Sequence, residues 1–160
     1  MSTRLEVAAT VDAGLDRVWD ELVDWHGQAR WIPLTTLRVR SPHDAGLGVR
    51  IAALSGFWVG RLPLGLLDNF VVTGWTPPAE GHAELEVLHL GPYFTGEGVF
   101  QLSGDETSTR VRAVELFTVP GGPLPNRLVR LALPLMRIGF TASLRQLAAI
   151  AETPRPELAP

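Results

Sequence analysis

Between Thr36 and Val119 no stretch of the chain sustains the apolar repeat of a long helix, and this limits the fold more than any other feature. The region carries short strand-like segments instead, near 36–41, 48–54, 66–75, 82–90, 93–103 and 108–119. Turn chemistry separates them at Pro42 to Gly46, Pro77 to Gly81, Gly91-Pro92 and Gly104 to Thr107. One piece, SGFWVGRLPLG from Ser55 to Gly65, is apolar yet broken by Gly and Pro, and it reads as a loop with buried side chains.

Helices are expected only at the flanks. Leu5, Val7, Ala9 and Val11 alternate with Arg4, Glu6 and Thr10, the period of a half-buried first strand. Asp12 then offers an oxygen to cap a helix whose buried face is Leu15, Val18, Trp19, Leu22 and Val23. The stretch VDWHGQARWIP, Val23 to Pro33, follows as a short second helix or helical turn. A last helix is predicted from about Pro125 to Glu152, kinked at Pro134, with Arg127, Arg130, Arg137 and Arg145 on one solvated stripe. The order strand, two short helices, six strands and a long helix is an α+β arrangement, a curved seven-stranded antiparallel sheet with the long helix across its concave side.

With 160 residues the chain suits a single domain, 1–152, ending in a flexible proline-rich tail, 153–160. It is 46% hydrophobic and 19% charged, enough to build a sizeable core. A net charge of -3 gives no electrostatic footprint for nucleic acid or an anionic membrane. The absence of cysteine removes disulfides and thiolate chemistry. No signal-like opening and no uncharged apolar run near the roughly 18 residues of a membrane span is present. A soluble cytoplasmic protein is expected.

Specific residues carry a resemblance. VDAGLDRVWDELVDW (11–25), RWIP (30–33), LGVRI (47–51), LLDNFVVTGWTPP (66–78), GEGVFQL (96–102), TRVRAVEL (109–116) and ASLRQLA (142–148) together resemble the START-like (SRPBCC) superfamily with its helix-grip fold. More narrowly it looks like the bacterial polyketide cyclase/dehydrase-type members, over about residues 3 to 151. Members bind lipids, hormones or polyketides, and some catalyse cyclisation, dehydration or hydrolysis without one shared catalytic motif. The resemblance therefore implies a cavity and assigns no catalytic residue.

Strand pairing locates polar groups that can face such a cavity. Across Gly91-Pro92, His89 is set opposite Phe94, Val87 opposite Gly96, Leu85 opposite Gly98 and Ala83 opposite Phe100, so large faces small. Across the next hairpin Glu115 falls opposite Gly96 and Phe117 opposite Phe94, while Arg110 and Arg112 point outward. Across PPAEG, Asp68 is placed opposite His89, though one bulge there turns Asp68 outward. Asp68, His89 and Glu115 are thus candidate catalytic residues, a carboxylate base and an imidazole acid at one end of an apolar pocket. The competing reading is a structural hydrogen-bonded set near a strand end. Trp25, Trp31, Phe57, Trp58, Phe70, Tyr93, Phe100, Phe117, Leu135 and Phe140 are the candidate ligand-lining residues.

Other constellations carry less. His26, His43, His82 and His89 show no ligand spacing, so no metal is expected. No G-x-S-x-G elbow is present, and Asp20, Glu21 and Asp24 read as a solvated helix face. His26 reads as a partly exposed turn residue, and the flanking tryptophans as core or cavity-end wall. Two function classes follow. One is a cofactor-independent cyclase or dehydratase acting on a polyketide-, lipid- or aromatic-type ligand. The other is a carrier of lipid or metabolite, or an interaction module with a filled core; a homodimer is permitted by apolar residues on the last helix.

Overall fold

A computed structural model describes residues 2–59 and 62–154; for 57–59 and 62–64 it describes the backbone alone. The strands are β1 (Thr3–Val11), β2 (Thr35–Val39), β3 (Arg50–Val59), β4 (Leu62–Ala79), β5 (His82–Pro92), β6 (Thr95–Gly104) and β7 (Thr109–Thr118). Helix α1 (Leu15–Val23) follows β1, and α2 (Pro123–Glu152) closes the chain. The seven strands form one antiparallel sheet in the order β1-β7-β6-β5-β4-β3-β2. This is the helix-grip arrangement: from β2 onward each strand pairs with the next, and β1 joins the far edge through β7.

Local departures from the sequence-based expectation have physical causes. The second short helix is a single 3-10 turn, Gln28–Arg30. Ser55 to Gly65 is not a loop: Ser55 pairs with Leu66, Gly56 with Gly65 and Phe57 with Leu64, so the hairpin continues through it. Cross-strand pairing overrides the weak strand preference of its Gly and Pro residues. Asp12 does not cap α1. The helix begins at Leu15, whose N–H donates to the carbonyl of Asp105 at 2.9 Å, so the β6–β7 turn supplies the missing acceptor. The Asp12 N–H instead donates to Glu152 Oε1 at 3.0 Å, tying the end of β1 to the end of α2.

The acidic face of α1 also differs from the solvated one expected. Glu21 is buried and lies between Arg17 and Arg30, with Arg30 Nη2 at 2.7 Å. Asp24 takes the Gly27 N–H at 3.0 Å and pairs with Arg30 at 3.1 Å. This network fixes the turn that carries Trp25 and Trp31. His26 itself is exposed.

The core fills the space between the sheet's concave face, α1 and the C-terminal third of α2. Helix α1 buries Leu15, Val18, Trp19 and Leu22, and Trp19 meets Trp75 edge-on with ring centroids 5.2 Å apart. Near its end α2 buries Leu144, Leu147, Ala148 and Ala151 against β1 and α1. Its first half is different. Leu124, Leu128, Leu131 and Leu135 are exposed there with Arg127, Arg130 and Arg137, and Ile138 just beyond and Arg145 further on are exposed too. Pro134 lies inside the helix. Among the described residues no helix is long and apolar enough to cross a membrane.

Candidate functional site

Three strands bring the polar cluster together. Both hairpins that build it are displaced by two residues from the expected pairing: His89 opposes Gly96, Val87 opposes Gly98, Gly98 opposes Glu115, and Gly96 opposes Phe117. Strand side chains alternate with a period of two, so an even displacement leaves every residue on its expected face. The turns are centred further along the chain than Gly91-Pro92 and Gly104 suggest, because β5 runs on to Pro92 and β6 to Gly104. In β4 a bulge falls between Asp68 and Phe70, so His89 opposes Phe70 and Asp68 opposes Pro92. The bulge does not turn Asp68 outward; its carboxylate reaches His89.

The resulting geometry is a histidine held at both ends. His89 Nδ1 lies 2.8 Å from Asp68 Oδ2, and His89 Nε2 lies 3.1 Å from Glu115 Oε2. An ionised carboxylate only accepts hydrogen bonds, so satisfying both contacts requires a proton on each ring nitrogen. Burial is the largest single influence on the ring and acts to lower its pKa. The hydrogen bonds to Asp68 and Glu115, with the charges behind them, outweigh it and push His89 from 6.5 up to about 9. Apolar packing fixes the ring's plane. Its centroid is 5.8 Å from Phe70 and 5.1 Å from Phe94, and Phe94 in turn packs edge-on against Phe117.

Gly98 makes the third member fit. A Cβ at that position would come within 2.8 Å and 2.9 Å of the two Glu115 carboxylate oxygens and within 2.9 Å of Val87. The absent side chain is therefore the space in which the carboxylate sits.

The cluster stands where two spaces meet. An open-mouthed cavity of about 720 Å³ lies between the sheet and α2, lined by Leu5, Tyr93, Phe117, Val129, Met136 and Phe140 among others. Behind it an inner chamber of about 180 Å³ reaches toward the 3-10 turn, lined by Trp25, Trp31, Ile32, Phe70, Leu85 and Phe100 among others. His89, Glu115, Phe94 and Phe140 border both, and Asp68 borders the inner one. The interior is thus not full.

Of the candidate lining residues, Trp25, Trp31, Phe70 and Phe100 border the inner chamber, Tyr93 and Phe117 the outer cavity, and Phe140 both. Tyr93 is half exposed at the mouth. Leu135 is a correction: it is 72% exposed and borders neither space. The inward face of α2 is set by Met136, Gly139, Phe140 and Ser143, a one-face helical spacing that leaves Leu135 pointing away. The side chains of Phe57 and Trp58 lie outside the described residues. Sequence reasoning omits Phe94, Val129, Met136 and Ser143 from the lining. The helical phase set by Phe140 marks Met136 and Ser143, four residues before it and three after, and the strand pairing already sets Phe94 against His89. Val129, seven residues before Met136 and eleven before Phe140, shares that helical face and is marked by the same phase.

Chemically, the cluster offers an imidazolium proton and two carboxylates beside apolar walls. Oδ1 of Asp68 is buried without a hydrogen-bond partner, as is Nε1 of Trp31. The other tryptophan of the turn is satisfied, since Trp25 Nε1 donates to the Asp44 carbonyl at 2.8 Å. Among the described residues no group of His, Asp or Glu is arranged to hold a metal ion.

No protein-family model matches the chain, and no curated protein matches it. Solved structures share its fold across nearly their full length. A protein from Thermus thermophilus aligns at a TM-score of 0.70 and 16% identity, over 93% of this chain and 97% of that one. The ZhuI aromatase/cyclase from a Streptomyces species aligns at 0.70 and 18% identity, over 95% and 94%. Norcoclaurine synthase from Thalictrum flavum aligns at 0.64 and 13% identity, over 94% of each chain. At such identities the likeness is one of fold.

Proposed function

We propose that the chain binds a small apolar ligand, of polyketide, lipid or aromatic type, in the cavity between the sheet and α2. One observation carries this reading: a cavity of about 720 Å³ with largely apolar walls and with His89 and Glu115 among its described lining residues. Ligand sites typically have such a volume and such a balance of lining groups. That an aromatase/cyclase and a synthase share the fold lends support. The protein would work as one domain over 1–152, in the cytoplasm, with the ligand as its partner and no cofactor.

A second reading, catalysis, is favoured by His89 held protonated between two carboxylates at the cavity wall. In a dehydration a carboxylate takes a carbon-bound proton, and the imidazolium gives its proton to the departing hydroxyl, leaving a double bond and water. An aldol-type cyclisation uses the same pair, with the imidazolium protonating the new alkoxide. A carrier needs neither transfer. Replacing Glu115→Gln and His89→Ala separates the two: a carrier keeps its ligand, whereas an enzyme loses turnover by a factor of about 10² or more.

Native mass spectrometry of protein purified from its own host tests the binding reading. The expected spectrum contains a small-molecule adduct that is lost on denaturation. Gly139→Trp should remove the adduct, because residue 139 lines the cavity and a Cβ there meets no atom within 4 Å. Identical bare spectra for both proteins would count against the reading.

A further inference from the structure

We propose that the inner chamber receives a hydroxyl group at the leading end of the ligand, with Trp31 Nε1 donating to it and Asp68 Oδ1 accepting from it. This rests on the ligand-binding reading above and narrows the ligand to apolar compounds that carry a phenolic or alcoholic hydroxyl.

The argument begins with two unpaired atoms. Among the described residues, Trp31 Nε1 and Asp68 Oδ1 are the buried side-chain polar atoms without a hydrogen-bond partner. Buried polar groups are nearly always paired, so each orphan calls for an explanation. Here both belong to residues that border the same chamber of about 180 Å³. Trp31 is 1% exposed, which places its indole N–H deep in the wall. Asp68 commits Oδ2 to His89 at 2.8 Å and leaves Oδ1 free. The bulge beside Asp68 sets that carboxylate beside the imidazole from a position not directly opposite it.

The two atoms make opposite demands. An indole N–H only donates, and an ionised carboxylate only accepts. A ketone or ether oxygen serves Trp31 and leaves Asp68 unpaired; an amine cation serves Asp68 and leaves Trp31 unpaired. A carboxylate-bearing ligand serves Trp31 but meets the charges of Asp68 and Glu115. A hydroxyl combines both functions in one group. Around it stand the rings of Phe70, Phe100 and Phe140, which suit the carbon skeleton that bears it. The rest of the molecule extends past His89 and Glu115 into the outer cavity.

Three probes with one ring system test this: naphthalene, 1-methoxynaphthalene and 1-naphthol, with Kd measured by probe fluorescence on the full chain at neutral pH. A wholly apolar site binds 1-naphthol no tighter than naphthalene, because the hydroxyl is costlier to desolvate. The expected order is 1-naphthol tightest, roughly tenfold or more tighter than naphthalene, with 1-methoxynaphthalene between them. In Trp31→Phe, 1-methoxynaphthalene falls to the affinity of naphthalene, and the advantage of 1-naphthol shrinks severalfold. Should Trp31→Phe fail to fold, the ranking on the unaltered protein decides alone. Binding of all three with naphthalene equal to or tighter than 1-naphthol overturns the hydroxyl assignment and leaves the ligand reading standing. If none of the three binds, both fall together.

Discussion

Both ring nitrogens of His89 face carboxylates, so at neutral pH the ring has a proton to give and no lone pair with which to take one. The base in any reaction is therefore a carboxylate. An NMR titration of the His89 ring protons should show a midpoint near 9. Glu115→Gln should move it downward, since that removes one stabilising charge. The same shift ties stability to pH. The folded value lies above the unfolded one near 6.5, so the contribution is complete below about 6.5 and disappears as pH climbs through about 9. Its size is about 3 kcal/mol, from 1.36 kcal/mol per unit; denaturant midpoints measured from pH 6 to 10 should fall across that window. Gly98→Ala provides an independent check. Its methyl group displaces the Glu115 carboxylate, which should drop the His89 midpoint toward 6.5 and destabilise the fold by about 1–3 kcal/mol. An unchanged midpoint would mean that Glu115 moves without losing the ring. At this scale the cluster was legible in the sequence because facing survives an even slip of register. The unpaired atoms of Trp31 and Asp68 were not, because only three-dimensional packing decides which buried groups find partners.

Helix α2 divides into two parts with different attachments. From Ser143 to Ala151 it contributes Leu144, Leu147, Ala148 and Ala151 to the core; before that it meets the rest of the protein mainly across the cavity, through Val129, Met136 and Phe140. Leu147→Ala should cost about 2–5 kcal/mol, whereas Leu131→Ala, at 78% exposed, should stay within about 0.5 kcal/mol. Thermal melts of the two variants check this contrast. Local opening follows buried contact, so amide exchange should be faster over 123–142 than over 143–152, and a bound ligand should slow the first part selectively. Uniform exchange along α2 would argue that lying over the cavity does not loosen the helix. The helix and its start within two residues were legible from composition and proline placement. Its phase was not, because the stretch from Leu124 to Phe140 carries apolar residues on more than one face, and the arginine stripe marks a wet side without saying which apolar face is inward. That ambiguity puts Leu135 in the expected cavity wall in place of Met136.

Over the whole molecule, alternation and turn residues were enough to indicate seven antiparallel strands, since each neighbouring pair from β2 to β7 is a hairpin built from adjacent sequence. The length of the β3–β4 hairpin was hidden, because Gly56, Gly65 and Pro63 disguise a ladder that only pairing reveals. The β1–β7 contact has no local signature at all: Thr3 lies opposite Phe117 and Val11 opposite Thr109. That distant pairing bears on how the protein is made. Of these seven strands, the earliest to be made is the last to find its neighbour, since no residue of β7 exists until about a hundred residues after β1 have been joined. Throughout that interval Leu5, Val7 and Val11 have neither a strand beside them nor α2 above them. Non-local pairing of this kind slows folding and leaves apolar edges open to other chains. A nascent chain released before Thr109 would hold five strands able to pair in order and a sixth with nowhere to go. Premature termination before β7 is complete should therefore yield aggregates in place of a smaller working protein.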